Sequence, residues 1–355
     1  MKFTDVTIEG EGVSPNDYQD NTTQRGDPDF VMSRTSLLDF ADNPHKWLSG
    51  ESDEGSESTE WGDIVDVLLL IPTQFPSLYA VQPEKYPTKG MECPKCKTVT
   101  KAKSCKECGV NRVEITIEKD WDNNSTYCSD WRDRQTAAGK RIIKNVMLQS
   151  AKRAVKVMES NENAMELINC SKRQVMITGL YHDPETGLVI PVKCMLDLVP
   201  NVKHPRWGKT LADLKTSVTV NPPLLEKTIF NYGYDAQGEL YRTLYMLATK
   251  EDRPDWVIVA QENKPPYEVA DPLPLLGTNF LDIGRSKIAF ALKYYARCLH
   301  TNNFPSYSVG QRSVIDGRYI VEPRDWMVTD AAERPTLAPV EKKPATESDK
   351  PDLIP

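Results

Sequence analysis

The sequence predicts a mixed α/β fold, a central mixed sheet flanked by helices, and three observations carry that expectation. Two apolar, strand-like runs, V-K-C-M-L-D-L-V-P (192–200) and T-L-A-D-L-K-T-S (210–217), each hold one aspartate. A third, D-W-V-I-V-A-Q-E (Asp255–Glu262), reads as a buried strand. Around them lie stretches with apolar residues at helical spacing, such as Ile142, Ile143, Val146, Met147, Ala151, Ala154, Val155 and Met158.

Side chains on a strand alternate faces. Asp213 and Lys215 therefore share one face, and Ala212, Leu214 and Thr216 take the other. On the first run Asp197 sides with Met195 and Val199, opposite Cys194, Leu196 and Leu198. With these strands as neighbours, two carboxylates and an ammonium meet beside an apolar sheet. Such carboxylates repel unless a cation lies between them, and oxygen ligands without histidine favour Mg²⁺ or Mn²⁺. A lysine beside the pair can orient a water and steady the charge that develops on a phosphate. D-x-K alone also occurs in ordinary surface strands; the aspartate on the preceding strand is what makes it a candidate catalytic site.

The chain has 355 residues, enough for one large domain with insertions or two modest ones. Hydrophobic content of 39% and charge of 27% describe a globular protein. No apolar run approaches the roughly 20 residues a membrane helix needs. The acidic start M-K-F-T-D-V-T-I-E-G-E has no secretory apolar region, so the expected location is cytoplasmic, with no membrane partner. The net charge of −7 argues against a nucleic-acid enzyme until its distribution is seen. Residues 1–60 carry 14 acidic and 4 basic side chains, and residues 330–355 carry 6 and 4, which leaves 61–329 at +5.

In chain order, residues 1–30 are polar and read as a flexible amino terminus. The body, 31–329, reads as one domain. Ser33 can cap a helix S-R-T-S-L-L-D-F-A that ends before Pro44. Residues 49–60 read as a solvated loop. Trp61–Pro72 reads as a buried helix with one anomaly, Asp66 among Ile64, Val65, Val67, Leu68 and Leu69, where an ion is costly unless paired or metal-bound. A single wet edge of the helix is the alternative.

Residues 85–130 read as an insertion with its own chemistry. Cys93, Cys96, Cys105 and Cys108 form C-x2-C-x8-C-x2-C, two knuckles that place four thiolates around one structural Zn²⁺. Disulfides are disfavoured in a cytoplasmic protein, and an iron–sulfur cluster is the rival metal group. Cys128, Cys170, Cys194 and Cys298 lack such spacing and read as buried thiols. A long helix is expected from Asp133 to about Glu159. Its Lys140, Arg141, Lys144, Lys152, Arg153 and Lys156 form either a solvated face or a DNA-backbone contact. Strands follow at about 174–181, 188–199 and 209–216, with a D-P-E-T-G turn after the first. In the helical block 224–249, Gln237 and Tyr241 are spaced i, i+4 and share a face. A last helix is expected at about 278–301, and 330–355 reads as a disordered tail.

The acid on one strand and D-x-K on the next resemble the PD-(D/E)xK nuclease superfamily, whose core is restriction-endonuclease-like. The order of the pieces narrows the resemblance to the RecE-type (exonuclease VIII-like) phage nucleases. These pieces are S-x-T-S-L-L-D-F, the G-x-x-x-[H/D] helix, D-P-E-T-G, D-L-K-T-S, Gln-x-x-x-Tyr, V-A-Q-E-N-K-P-P-Y and L-D-I-G-R-S-K-I-A-F-A-L-K-Y-Y-A-R-C. The resemblance covers about 31–310 without the cysteine insertion, which is foreign to the family pattern.

It implies that Asp197, Asp213 and the Leu214 carbonyl hold the divalent metal, that Lys215 serves the attacking water, and that Gln237 and Tyr241 support the site. Asp66 stands where the family has a histidine ligand, and none of His45, His182, His204 or His300 can replace it by position. The resemblance further implies a 5′→3′ exonuclease on linear duplex DNA, leaving 3′ overhangs for a single-strand annealing protein in phage recombination. A ring-shaped homo-oligomer on DNA ends and a host-cell cytoplasmic location accompany that reading. The alternatives are a catalytically weak DNA-binding or end-capping protein of the same fold, and a structure-specific endonuclease.

Overall fold

The computed structural model describes residues 1–19, 23–50, 56–307, 314–315, 318–319 and 321. Residues 1–306 form one compact unit, and residues from 307 onward form a second. The first opens with strand β1 (Phe3–Gly10) and helix α1 (Pro15–Gln19). Helix α2 (Arg34–Asp42) is capped by the Ser33 hydroxyl, which accepts from the Ser36 N–H; α3 (Pro44–Ser49) restarts with proline at its first turn. Next come α4 (Glu57–Leu70), the short α5 (Phe75–Leu78) and β2 (Tyr79–Gln82). The insertion holds β3 (Lys85–Glu92), β4 (Val99–Thr100) and β5 (Val113–Asp120). It is followed by α6 (Thr126–Ala137), β6 (Arg141–Lys144), α7 (Asn145–Glu159) and α8 (Glu162–Asn169). Then come β7 (Ser171–His182), β8 (Val189–Pro200), β9 (Thr210–Ser217), α9 (Pro222–Asn231), α10 (Tyr234–Thr249), β10 (Asp255–Glu262) and α11 (Thr278–Thr301). The second unit's described residues include a hairpin, β11 (Val314–Ile315) with β12 (Arg318–Tyr319).

The central sheet has the order β1-β7-β8-β9-β10, antiparallel except for the parallel pair β9–β10. Period two sorts β9 and β10 onto two cores. Leu211, Trp256, Ile258 and Ala260 pack with α2, α10 and α11 through Phe40, Leu240, Leu292 and Tyr295. Ala212, Leu214, Val257 and Val259 pack with α4, α7 and α8 through Ile64, Leu148, Met158 and Leu167. Helices thus cover both faces, the mixed α/β architecture expected. Among the described residues no helix is long and apolar enough to cross a membrane.

Several expectations need correction. Residues 3–10 are an ordered sheet edge, not part of a loose terminus: F-T-D-V-T-I pairs with β7, and α1 follows. The compact unit therefore starts well before residue 31. The loop expected at 49–60 is shortened by the Ser56 cap, after which α4 starts at Glu57. The long helix expected from Asp133 is interrupted. Gly139 at φ +72 ends α6, and the β-branched pair in R-I-I-K forms β6, parallel to β2. The block 224–249 is two helices, separated by Gly233 at φ +66. On β8 the alternation slips: Leu196 faces the first core and Leu198 the second. Pairing with β7 lapses there, at Gln174 and Asp197, and Gln174 takes a left-handed φ of +50. The tail 330–355 lies outside the described residues.

Helix α4 reaches β9 because residue 62 is glycine. A Cβ there would meet Thr216 Oγ1 at 2.7 Å. Gly62→Ala is expected to lose stability, because overpacking costs about 1–3 kcal/mol against a helix-propensity gain of about 1 kcal/mol. With Thr216→Ala in the same chain, Gly62→Ala should become neutral or stabilising. Denaturant midpoints of the four proteins check this.

Candidate active site

Strand β9 carries Asp213 and Lys215 on one side, as period two requires, and the two form an ion pair. The Lys215 ammonium also donates to the Leu214 carbonyl at 3.2 Å and lies 5.3 Å from the Tyr234 ring centre. From α10, Gln237 donates through Nε2 to Asp213 Oδ1 at 2.8 Å. Arg34 of α2 fixes that amide, donating to Gln237 Oε1 at 3.1 Å. Asp197 on β8 accepts from the Leu214 N–H at 3.0 Å and from Gln174 Nε2 at 3.2 Å. Asp66 enters from α4; its Oδ1 is shielded from solvent and has no hydrogen-bond partner. Asp66 and Asp197 line one cavity of about 150 Å³ with Asp63, Gln174 and Tyr18.

The structure therefore brings together Asp66, Asp197, Asp213, Lys215, Leu214 and Gln237. Tyr241 is buried edge-on against Trp256 at 6.0 Å, beside Tyr18 of the cavity lining. Burial pushes its phenol well up, and the neighbouring Tyr18 adds to the shift. Gln174, Arg34, Tyr18 and Asp63 were missed in the sequence. Gln174 offered one weak signal, an amide immediately before the run V-M-I-T-G-L on β7. Arg34 offered none, because its partner lies far along the chain.

The electrostatics are those of crowded acids around one cation. Desolvation, with Asp63 and Asp213 adding and Lys215 opposing, pushes Asp66 up to about 8. Burial raises Asp197 well above the carboxylate range, and Asp213 and Asp66 raise it further. Burial alone would lower Lys215, but the Asp213 and Asp197 carboxylates outweigh it and hold the ammonium charged. Carboxylate oxygens, one orphaned, with a backbone carbonyl and no histidine fit a hard divalent ion. The three carboxylates do not all lie within 4.8 Å of one another; among the described residues only the four knuckle thiols are that close.

The sign of the pH dependence follows from Asp66. Its unfolded pKa is about 4 and its folded value about 8, so the fold binds an extra proton between those values. Stability falls as pH rises through that window. A divalent ion removes the penalty, so the melting-temperature rise given by Mg²⁺ is expected to widen from about pH 5 to pH 8. In Asp66→Asn that widening should shrink. Thermal melts with and without Mg²⁺ across this range check it.

The insertion makes a separate centre. At the first knuckle the Cys93 N–H donates to the Thr98 carbonyl at 3.0 Å and the Lys97 N–H to the Cys93 carbonyl at 2.9 Å. The second repeats this with Cys105 to Val110 and Gly109 to Cys105, both at 2.9 Å. Lys97 and Gly109 occupy equivalent left-handed positions, φ +61 and +66. All four thiols are free, and Cys96 and Cys105 sulfurs stand 3.7 Å apart, too far for a disulfide. Hydrogen bonds from Thr98 pull Cys96 down to about 6, while Cys96 and the other thiols push Cys108 up to about 12. Four sulfurs this close ionise together only around a cation, and the set fits tetrahedral Zn²⁺. Purified protein is expected to hold about one zinc per chain, lost in the Cys105→Ser, Cys108→Ser double variant. The central sheet should survive, since the insertion's sheet β4-β3-β5 is separate from it. Elemental analysis and the thermal midpoint check both.

The profile of the family described as a PDDEXK-like domain of unknown function (DUF3799) matches residues 112–315. The matched region holds Asp197, Asp213, Lys215, Gln237 and Tyr241, and leaves out Asp66 and the four knuckle cysteines. The fold is similar to that of a Eubacterium rectale protein named as a presumed exonuclease. The identity is 15% and the TM-score 0.48, over 91% of this chain and 99% of that one. A weaker likeness is to Rai1 of Scheffersomyces stipitis in complex with (3′-NADP)⁺ and calcium ion. There the identity is 9% and the TM-score 0.25, over 69% of this chain and 59% of that one. None of the curated proteins compared with the chain matches it.

Proposed function

Because the chain belongs to the PDDEXK-like family with a nuclease-like fold, we propose that it is a divalent-metal-dependent deoxyribonuclease that degrades linear duplex DNA from an end. One observation carries the reading: Asp213 and Lys215 are paired beside Asp197, with Gln237 holding Asp213 and the Leu214 N–H holding Asp197. Asp66, Asp197, Asp213 and the Leu214 carbonyl would hold Mg²⁺ or Mn²⁺. When bound, the ion would supply Lewis-acid stabilisation of the phosphate oxygens. Lys215 then orients the attacking water and balances the charge that grows on the phosphoryl oxygens. Gln237, braced by Arg34, keeps Asp213 from rotating. Gln174 does the same for Asp197, and its left-handed backbone is a strain of the kind found at functional sites.

The finer reading is a 5′→3′ exonuclease that leaves 3′ overhangs for a single-strand annealing partner in phage recombination. It would work as a ring-shaped homo-oligomer in the cytoplasm. It rests on the ordered resemblance of the motifs and on eight cysteines that are all free thiols. A second reading, a catalytically weak end-binding protein, is favoured by the spacing of the carboxylates and by aspartate in the histidine position. Incubating labelled linear and circular duplexes with Mg²⁺ separates the readings. Loss of the linear duplex alone is expected; no loss supports end-binding, and internal cuts in the circle support an endonuclease.

A further inference from the structure

The positive charge of the chain's body is gathered in one place. Residues 61–329 carry +5, and Cys93–Arg112 account for all of it: Lys95, Lys97, Lys101, Lys103, Lys106 and Arg112 against Glu107. Two of these are engaged. Lys97 pairs with Glu92 at 3.1 Å, and Arg112 donates to Thr98 Oγ1 at 2.9 Å, tying the knuckles together. Lys95, Lys101, Lys103 and Lys106 are exposed and make no ion pair among the described residues. A tetrathiolate zinc centre carries two negative charges, so the lysines exceed local neutralisation and leave the tip at about +3.

This tip is joined to the catalytic cleft by a fixed rod. β3 and β5 pair in full register from Lys85↔Asp120 to Glu92↔Val113. Eight residues of strand span about 25 Å. At its root β2 pairs with β6, the Trp121 N–H donates to the Glu84 carbonyl at 2.8 Å, and Asn145 donates to Glu84 Oε1 at 3.1 Å. Arg141 of β6 then pairs with Asp63 at 2.6 Å, and Asp63 lines the cavity that holds Asp66 and Asp197.

Resting on the reading of the chain as a DNA-cleaving enzyme, we infer that the zinc-tipped arm is a second DNA contact. Its four free lysines grip the phosphate backbone of duplex that continues beyond the cleft. Lysines on flexible stems suit phosphates without demanding a sequence. No aromatic residue occurs between Cys93 and Arg112. The tip therefore lacks the platforms that stack unpaired bases and the anchors that dominate protein interfaces.

The test is fluorescence anisotropy of the full chain with a labelled blunt duplex, without Mg²⁺, over a salt series. Replacing Lys95, Lys101, Lys103 and Lys106 by Gln is expected to weaken binding at least about tenfold and to flatten the slope of log K against log salt by about 3–4. Arg at the same four positions should restore both. Should the fourfold Gln variant lose its zinc, Lys101→Gln with Lys103→Gln, between the two knuckles, should flatten the slope by about half as much. Unchanged affinity and slope in a zinc-loaded Gln variant would overturn the inference, as would an Arg variant that fails to recover. Lysine-dependent capture of an acidic protein with DNA affinity unchanged would also overturn it. Binding is read without hydrolysis, so an uncleaved linear duplex counts against the nuclease reading and not against the arm.

Discussion

Asp213→Asn is expected to slow phosphodiester hydrolysis at least about 10²-fold, which is about 2.7 kcal/mol of transition-state stabilisation, while duplex binding is largely kept. Asparagine preserves the shape and can still accept from Gln237 Nε2. It removes the charge that holds Lys215, and with it one anionic ligand for the ion. Lys215→Ala should cost a similar factor by the opposite route: the carboxylates stay, but the group that orients water and meets the developing charge is gone. Lys215→Arg should not rescue it, because a planar fork cannot occupy the space of a compact ammonium pressed between Asp213 and the Leu214 carbonyl. Single-turnover cleavage beside anisotropy checks both. Wild-type turnover in either variant would dissolve the assignment.

Asp66→Ala is expected to remove both turnover and most of the melting-temperature rise given by Mg²⁺. The carboxylate sits on a helix whose neighbours Ile64, Val65 and Val67 are buried, and one of its oxygens has no partner. Such a group is protonated or compensated by a cation. Without divalent ions Asp66→Ala should melt no lower than wild type, since a crowded acid has been taken away. Asp66→His should keep part of the activity and shift preference toward Mn²⁺, because imidazole suits transition metals better than Mg²⁺. Melts with each ion, read beside cleavage rates, check the pair. If Asp66 only marks a wet edge of α4, Asp66→Ala will leave turnover and the Mg²⁺ shift untouched.

Much of this site could be read before the structure because its signals are local. The pairing of Asp213 with Lys215 follows from period two along one strand, and Gln237 with Tyr241 from one helical turn. The knuckles follow from cysteine spacing. What could not be read is set by distant partners. Arg34 and Gln237 are joined across 203 positions, and Gln174 meets Asp197 only because β7 and β8 lapse in pairing at that point. Tyr241 shares a helix face with Gln237, and its edge-on packing against Trp256 is set by a strand that follows the helix. Sequence pattern and fold part where a short motif competes with a longer pattern. R-I-I-K keeps helical spacing with its neighbours, yet β2 offers it a parallel partner after Gly139. The first ten residues look polar because β1 is an edge strand, exposed along much of its length.

The most direct measurement is anomalous diffraction at the manganese edge from crystals grown with Mn²⁺. The expected result is one peak bounded by the carboxylates of Asp66, Asp197 and Asp213 and the Leu214 carbonyl, with Lys215 released from Asp213. The contradicting result is no peak in the cleft, with Lys215 still paired to Asp213 and Asp66 Oδ1 still without a partner.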